Sequence, residues 1–201
     1  MSLCRATVLF AALLLAACGS SPETHYFALA PVPGNTQRPA ALGTPLSVAA
    51  VHIPPSLDRQ EMVRRTSANA VEVSDQDRWS APLGDMARTV LSQDLASRLP
   101  KSQIILPNAP APPRTAEVVV SLAEFGPDGQ GRTTLEGSWS LLKSGQSQPA
   151  LHRDFAFATA ATAPGSGEAA AMSTLLGRLA TEIAGTVRDA LGTARGLAPR
   201  G

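Results

Sequence analysis

The chain has 201 residues, of which 44% are hydrophobic and 16% charged, and its formal net charge is +1 at pH 7. This length and composition fit a single globular domain with a sizeable hydrophobic core. A near-neutral chain without a run of basic residues gives no electrostatic case for binding nucleic acid, or for a polybasic contact with a membrane surface.

Residues 1–17 have the pattern of an export signal. The positive charge of Arg5 precedes the run Ala6–Ala17, in which Thr7 is the one polar residue. About 12 apolar residues are too few for a transmembrane helix, which needs roughly 20. Cleavage after this segment removes Arg5 and no acidic residue, so the mature chain has equal numbers of basic and acidic side chains.

The stretch Leu15-Ala16-Ala17-Cys18 resembles the lipobox of bacterial lipoproteins. The resemblance implies that Cys18 becomes the first residue and carries a covalent diacylglycerol on its thiol and an N-acyl chain on its amino group, with no other cofactor. Two or three acyl chains give a lasting anchor, whereas one chain is marginal. Gly19, rather than Asp, follows the cysteine, which implies the outer membrane by the sorting pattern of lipoproteins. The alternative is an ordinary secretory signal with a chance cysteine.

Residues 18–24 are predicted to be a short tether to a folded domain over residues 25–192. Six extended residues span only about 20 Å, so the domain is expected to lie close to its membrane. Strand-like runs then cover His25–Leu29 and Leu46–Ile53, with a loop rich in Pro and Gly between them. Residues 62–73 follow as a hairpin that turns around an asparagine.

Two long helices are predicted. The first opens at Ser80-Ala81-Pro82, where the serine caps free N–H groups, and ends before Pro100. Its apolar stripe consists of Leu83, Met86, Val90, Leu91, Leu95 and Leu99. The second covers Glu168–Leu191, and its stripe consists of Met172, Leu175, Leu176, Leu179, Ile183, Val187 and Leu191. Close packing is expected at Gly177 and Gly185, because a glycine costs about 1 kcal/mol inside a helix.

The remaining strands lie between these helices. A short strand at Gln103–Leu106 precedes three longer ones at Glu117–Phe125, Thr133–Leu142 and Leu151–Thr159, which short glycine-rich turns join into an antiparallel meander. Residues 193–201 are predicted to be a flexible tail. The predicted fold is α/β (α+β type), in which a mixed, mainly antiparallel sheet packs against two long helices.

A set of motifs in residues 53–99 is more specific than these elements. In chain order they are a strand ending at Pro54, Asp58-Arg59, Val63-Arg64-Arg65, Arg78-Trp79 before Pro82-Leu83, and the leucine-rich stretch 91–99. These motifs resemble those of the ABC-type transport auxiliary lipoproteins, the PqiC-like group of membrane integrity-associated transporter subunits. The resemblance covers nearly the whole mature chain.

The resemblance implies an outer-membrane-anchored lipoprotein that serves a lipid transport system of the MCE type. In such a system, inner-membrane ABC transporter subunits and a periplasmic MCE-type protein carry lipids between membranes, and the lipoprotein docks the far end and supports membrane integrity. The implied partners are those proteins and the outer membrane. A homo-oligomer stays an open alternative, because accessory proteins around tubular partners form rings in many cases and the sequence gives no independent sign of one.

Five residues in these motifs are candidates for partner binding: Asp58, Arg59, Arg65, Arg78 and Trp79. Arginine favours planar, bidentate pairing, so a charged patch that contains Asp58, Arg59 and Arg78 would suit a partner. The alternative is structural. In that case Asp58 pairs with a neighbouring arginine and fixes the loop after the strand, and Trp79 packs in the core or against the start of the helix.

The sequence predicts neither an enzyme nor a metal site. His25, His52 and His152 stand singly, without partners at metal-ligand spacing, and the chain has no Gly-x-Ser-x-Gly elbow or phosphate-binding loop. Two functions stay open beside that of a docking lipoprotein: a periplasmic lipid-binding carrier with an apolar groove between sheet and helix, and a structural envelope lipoprotein. A periplasmic hydrolase is the least favoured function, since the sequence lacks any pairing of a nucleophile with a base.

Overall fold

The computed structural model describes residues 22–34, 41–146, 148–160 and 163–192. The predicted signal peptide, the predicted acylation site Cys18 and the predicted tail at 193–201 lie outside these residues. In the described part of the chain, no helix is both long enough and apolar enough to cross a membrane.

Eight strands and two α-helices make up the described fold. They are β1 His25–Phe27, β2 Leu46–His52, β3 Glu61–Ser67, β4 Ala70–Trp79, α1 Leu83–Arg98, β5 Ile104–Ile105, β6 Ala116–Pro127, β7 Arg132–Leu142, β8 Leu151–Ala160 and α2 Ser166–Leu191. A short 3-10 turn, Pro55–Leu57, lies between β2 and β3. The predicted fold class, a mixed sheet architecture with two long helices, is confirmed.

The strands form two sheets. The smaller has the order β1-β4-β3, in which β1 runs parallel to β4, and β3 and β4 form the predicted hairpin. The larger has the order β5-β2-β6-β7-β8. Its strands β6, β7 and β8 form the predicted antiparallel meander, whereas β2 pairs in parallel with both β5 and β6.

Helix α1 has the predicted apolar stripe, but it begins differently from the prediction. Pro82 occupies the N-cap position and no side chain caps the helix. Ser80 instead extends the pairing of β4 with β1, because its N–H donates to the Phe27 carbonyl oxygen at 2.8 Å. The helix ends at Arg98, just before Pro100, because proline has no N–H and its ring clashes with the preceding turn.

Helix α2 is the central element of the core. All seven side chains of its predicted stripe are buried. The helix packs against α1 on one side and against β6, β7 and β8 on the other. One contiguous cluster that includes Phe125 and Trp139 fills the space between the larger sheet and the helices. This is the space in which the alternative function, a lipid-binding carrier, would have its apolar groove.

The two glycines inside α2 have different surroundings. A Cβ on Gly177 would lie 3.0 Å from the Cβ of Val32 and 3.3 Å from Nη2 of Arg98, so the expected close packing is present there. A Cβ on Gly185 would meet no atom of another element within 4 Å. Packing therefore accounts for Gly177 and does not account for Gly185.

We therefore expect opposite effects from two matched substitutions. Gly185→Ala should raise the free energy of unfolding by about 0.5–1 kcal/mol, since alanine restricts the unfolded chain and fits the helix. Gly177→Ala should lose this gain or lower the free energy, because Val32 must move to admit the methyl group. Urea denaturation of both variants checks this, and a stabilised Gly177→Ala variant would contradict the packing argument.

Candidate functional site

The five candidate partner-binding residues lie on the hairpin β3–β4 and on the loop that precedes it. The loop carries Asp58 and Arg59, β3 carries Arg65, and β4 ends with Arg78 and Trp79. The structure brings Arg59 and Arg78 together and gives the other three residues separate surroundings. A role of these residues in binding a partner stays a prediction.

Glu61, at the start of β3, connects the two neighbouring arginines. Arg59 Nε donates to Glu61 Oε2 at 3.0 Å, and Arg78 Nη1 lies 3.9 Å from Glu61 Oε1. The hydrogen bond from Arg59 is the main reason that the pKa of Glu61 is lowered. Sequence reasoning did not single out this carboxylate, although it is the group to which both arginines turn.

Asp58 and Arg65 have different environments. Asp58 is exposed, and within the described residues it lacks the predicted pairing with an arginine, since Arg59 turns to Glu61. Its backbone N–H instead helps to close the 3-10 turn. Arg65 Nη2 donates to Glu124 Oε1 at 2.6 Å, which ties the hairpin to β6.

Both tryptophans are core residues. Trp79 is only 3% exposed, which confirms the structural interpretation of this side chain. Its backbone N–H donates to the Gln60 carbonyl oxygen at 2.6 Å. Trp139 is 1% exposed, and its Nε1 donates to Glu182 Oε1 at 3.2 Å. Neither indole ring therefore offers a surface to a partner in this conformation.

The most buried ion pairs of the hairpin belong to Arg64, which sequence reasoning did not single out. Arg64 Nη2 donates to Asp77 Oδ2 at 2.6 Å, and Arg64 Nε donates to Glu168 Oε1 at 2.6 Å. The Arg64 side chain is 15% exposed and that of Glu168 is 7% exposed. One guanidinium therefore joins β3, β4 and the first turn of α2.

Glu168 also fixes the start of α2. Its second oxygen, Oε2, accepts the backbone N–H of Gly165 at 3.1 Å, directly before the helix. Gly165 has a φ of +72°, and a Cβ there would lie 2.7 Å from Phe27 Cζ. A residue with a side chain would be strained at this φ and would push β1 away. The position of the Glu168 carboxylate therefore depends on the close packing of Phe27, in β1, against Gly165.

The charges of this cluster stabilise one another. The Glu168 hydrogen bond, and then that of Asp77, raise the pKa of Arg64. The hydrogen bond from Arg64 is likewise the main reason that the pKa of Asp77 is lowered. His25 Nδ1 lies 3.8 Å from Asp77 Oδ1 and extends the cluster to β1. Strand alternation could have located Arg64, because it shares a face with the buried Met62.

A second buried polar cluster lies between the two helices. The Asp94 side chain has no exposed surface, and its Oδ1 accepts the Val32 N–H at 2.7 Å. Arg98 Nη1 donates to the Val32 carbonyl oxygen at 2.9 Å, and Arg98 Nε donates to Thr181 Oγ1 at 2.8 Å. Burial raises the pKa of Asp94 and lowers that of Arg98.

This second cluster holds an extended segment that follows β1. The N–H groups of Ala30, Val32 and Gly34 donate in turn to Ser173 Oγ, Asp94 Oδ1 and Ser97 Oγ, at 3.0, 2.7 and 3.1 Å. Side chains of α1 and α2 therefore replace the backbone partners that a neighbouring strand would supply. The segment is fixed to the helices at every second residue.

One contact corrects the prediction that the chain lacks a pairing of a nucleophile with a base. Ser140 Oγ and His152 Nδ1 are 2.9 Å apart, and His152 Nε2 lies 3.6 Å from Asp154 Oδ1. The side chains of His152 and Asp154 are 56% and 87% exposed, so these groups lie in water. Stabilisation of a developing oxyanion depends on a site from which water is excluded. We therefore interpret the Ser140–His152 contact as a surface hydrogen bond between the neighbouring strands β7 and β8, and not as a catalytic pair.

Metal-ligating side chains do not gather in the described part of the chain, where no group of three or more His, Cys, Asp or Glu residues could hold an ion. A groove with a volume of about 370 Å³ lies along α1, next to the segment after β1. Leu29, Met86 and Val90 form its apolar part, and Asp85 and Gln93 lie at its polar side.

Comparison with known proteins gave one family and several similar folds. The sequence model of a family described as ABC-type transport auxiliary lipoprotein component matches residues 27–184. The crystal structure of an uncharacterized protein is 22% identical, with a TM-score of 0.65 over 84% of this chain and 99% of that chain. Protein XCC0632 from Xanthomonas campestris, of family DUF330, is 18% identical, with a TM-score of 0.65 over 81% of this chain and 94% of its own.

At these identities the two structures indicate a shared fold. A search of curated proteins gave no significant match.

The cluster around Arg64 generates a prediction about stability and pH. Because the pKa of Asp77 is lowered from its ordinary value of 3.8, its ionised form stabilises the folded state above that pH, and this contribution disappears as the pH falls through the lower pKa. Asp77→Asn should therefore lower the free energy of unfolding at pH 7 by about 1–3 kcal/mol. The difference from the parent protein should shrink toward pH 2.

Asp75→Asn is the matched control, since Asp75 is an exposed residue on the same strand. It should change the free energy of unfolding by less than about 0.5 kcal/mol at either pH. Urea denaturation at pH 7 and at pH 2–3 gives both values. Equal effects of the two substitutions would contradict a specific contribution of the contact between Arg64 and Asp77.

Proposed function

The chain belongs to the family of ABC-type transport auxiliary lipoprotein components, and from this we propose that it is anchored in the outer membrane through acylated Cys18 and docks periplasmic components of an MCE-type lipid transporter. Membership of a lipoprotein family indicates a membrane-anchored accessory of transport. The membrane, the partner and the docking role are the proposed parts.

The observation that carries the proposal is the distance along the chain between the acylation site and the domain. Cys18 precedes the first residue of β1, His25, by seven residues. A fully extended chain spans at most about 3.3–3.6 Å per residue, so the domain lies within about 25 Å of its acyl chains. A domain held so close to one membrane needs a longer partner to connect it with the other membrane.

The packing of the domain supports a docking role. The interior between the larger sheet and the helices is filled by core side chains, and buried ion pairs fix the hairpin and the segment after β1. Such a domain presents a preorganised surface to a partner, which reduces the entropy lost on binding. The family resemblance supports an inner-membrane complex and a periplasmic MCE-type protein as the partners.

The groove beside α1 favours a second candidate function, that of a lipid-binding carrier. Its volume of about 370 Å³ falls within the usual range of small-molecule sites, and its wall contains Leu29, Met86 and Val90. Mass spectrometry of lipids that remain with the protein after purification distinguishes the candidates. A carrier retains a stoichiometric lipid in addition to the acyl chains of Cys18, whereas a docking lipoprotein retains none.

Substitution of the acylation site tests the anchor. Cys18→Ser should abolish acylation and membrane fractionation, because the thiol that carries the diacylglycerol is absent. Gly19→Asp keeps the thiol and should move the acylated protein from the outer to the inner membrane, by the sorting pattern of lipoproteins. Mass spectrometry of the processed N-terminus and separation of the two membranes give both results. An unmodified N-terminus in the parent protein would contradict the proposal.

Cross-linking in intact cells tests the docking role. We expect a periplasmic MCE-type protein among the proteins that co-purify with the parent chain, and its loss with Cys18→Ser, because the released domain no longer lies at the membrane where its partner ends. Gly19→Asp stays acylated but should lie in the inner membrane, so it should lose the partner as well, which separates the effect of location from that of acylation. Purification of the acylated parent protein without any transporter component would contradict docking while leaving the anchor intact.

A further inference from the structure

One row of side chains crosses the smaller sheet on its outer face. Tyr26 of β1 is aligned with Arg78 of β4, and Arg78 is aligned with Glu61 of β3. Their neighbours in the strands, Phe27 and Trp79, point to the core. We call Tyr26, Arg78, Glu61 and the adjoining Arg59 the Tyr26–Arg78 row.

The guanidinium of Arg78 is not satisfied by the domain. Its Nε is buried and, within the described residues, has no hydrogen-bond acceptor. Its Nη1 is 3.9 Å from Glu61 Oε1, which is too far for a hydrogen bond. The side chain as a whole is nevertheless 34% exposed. Arginine binds phosphate oxygens through two parallel N–H groups, which would use the donors that remain.

Tyr26 stands beside this guanidinium and is 64% exposed, more than the other large apolar side chains that the structure describes as exposed. A tyrosine combines an apolar ring with a polar hydroxyl, and such side chains favour the boundary between water and the bilayer. The row carries two arginines and one glutamate, and its net positive charge is complementary to a phosphate layer.

The position of the row in the chain indicates that its binding partner is the bilayer. Tyr26 follows the acylation site by eight residues, so even a fully extended chain keeps it within about 30 Å of the acyl chains. β1 is the first strand of the domain and an edge strand of its sheet. We infer that the Tyr26–Arg78 row faces the lipid phosphates of the bilayer that holds the acyl chains of Cys18; the inference rests on the anchor in the proposed function.

This orientation gives the row a role that the docking proposal does not include. A flexible tether alone would leave the domain free to rotate above the membrane. Contact of Arg78 and Tyr26 with the phosphate layer turns the smaller sheet toward the bilayer and leaves the larger sheet and β8 for the partner. Arg59 and Arg78 then bind lipid phosphate, whereas the sequence predicted that they bind a protein.

A labelled single cysteine measures this orientation, since acylation of Cys18 leaves the mature chain without a free thiol. Gln76→Cys places a fluorophore at an exposed position of β4, two residues from Arg78, and keeps the row intact. Leu106→Cys places the same fluorophore at a 46% exposed position after β5, at the edge of the other sheet. The full-length acylated protein is reconstituted into vesicles of phosphatidylcholine and phosphatidylglycerol that contain a brominated lipid as quencher.

We expect strong quenching of the fluorophore at position 76 and weak quenching at position 106. Arg78→Gln should lower the ratio of membrane-facing to free orientations about fivefold, the effect of one basic residue near an anionic surface. Tyr26→Ser, at an exposed position where folding is not at risk, should lower it as well. Arg132→Gln, at an exposed arginine that begins β7, is the matched control and should change nothing.

The possible failures are distinguishable. Parent protein that does not float with the vesicles refutes the anchor, and the inference with it. Parent protein that floats, with equal quenching at positions 76 and 106, overturns the orientation and leaves the anchor intact. Quenching at position 76 that neither Arg78→Gln nor Tyr26→Ser reduces also overturns the inference. In cells, cross-linking from position 76 to a protein instead of lipid would assign the row to a protein partner.

Discussion

The arrangement of the small sheet on the helical core depends on the guanidinium of Arg64. It is held between Asp77 and Glu168 at 2.6 Å from each carboxylate, in a largely buried position. Breaking such a pair leaves an uncompensated buried charge, which costs about 3–5 kcal/mol. Because the three residues come from β3, β4 and α2, the contact specifies how the hairpin is oriented on the domain as well as contributing to its stability.

The segment that contains β1 lies between two such clusters. His25, at its start, approaches Asp77, and Val32, further along, is bound by Asp94 and Arg98. Both clusters also contain residues of α1 or α2, so the part of the chain nearest the proposed anchor is attached to the helical core. A domain attached in this way keeps a defined orientation relative to its first strand, which a membrane anchor alone would not provide.

Local sequence patterns predicted most of the helices and strands. They could not predict which strands pair when those strands are far apart in the chain. The 3.6-residue period fixed the stripe of α2, and short glycine-rich turns indicated the meander of β6, β7 and β8. The distribution of strands over two sheets, with β2 parallel to β6, depends on contacts between residues far apart in the chain. The same holds for the charges. Arg64 and Arg65 are neighbours, yet one is buried beside Glu168 and the other is half-exposed beside Glu124. Strand alternation could distinguish the two arginines, but not identify their carboxylate partners.

The parallel pairing of β1 with β4 has a mechanical consequence. Tension applied at the amino-terminal end of β1, opposed by a partner bound elsewhere on the domain, acts along the strand axis. The inter-strand hydrogen bonds of the pairs from His25–Asp77 to Phe27–Trp79 then share the load as shear and do not open one after another. Val32 follows β1 in the chain, and its N–H is bound by Asp94. Force that is transmitted along the chain beyond β1 therefore acts on this hydrogen bond. Traction between the proposed anchor and a bound partner would therefore load these inter-strand hydrogen bonds together.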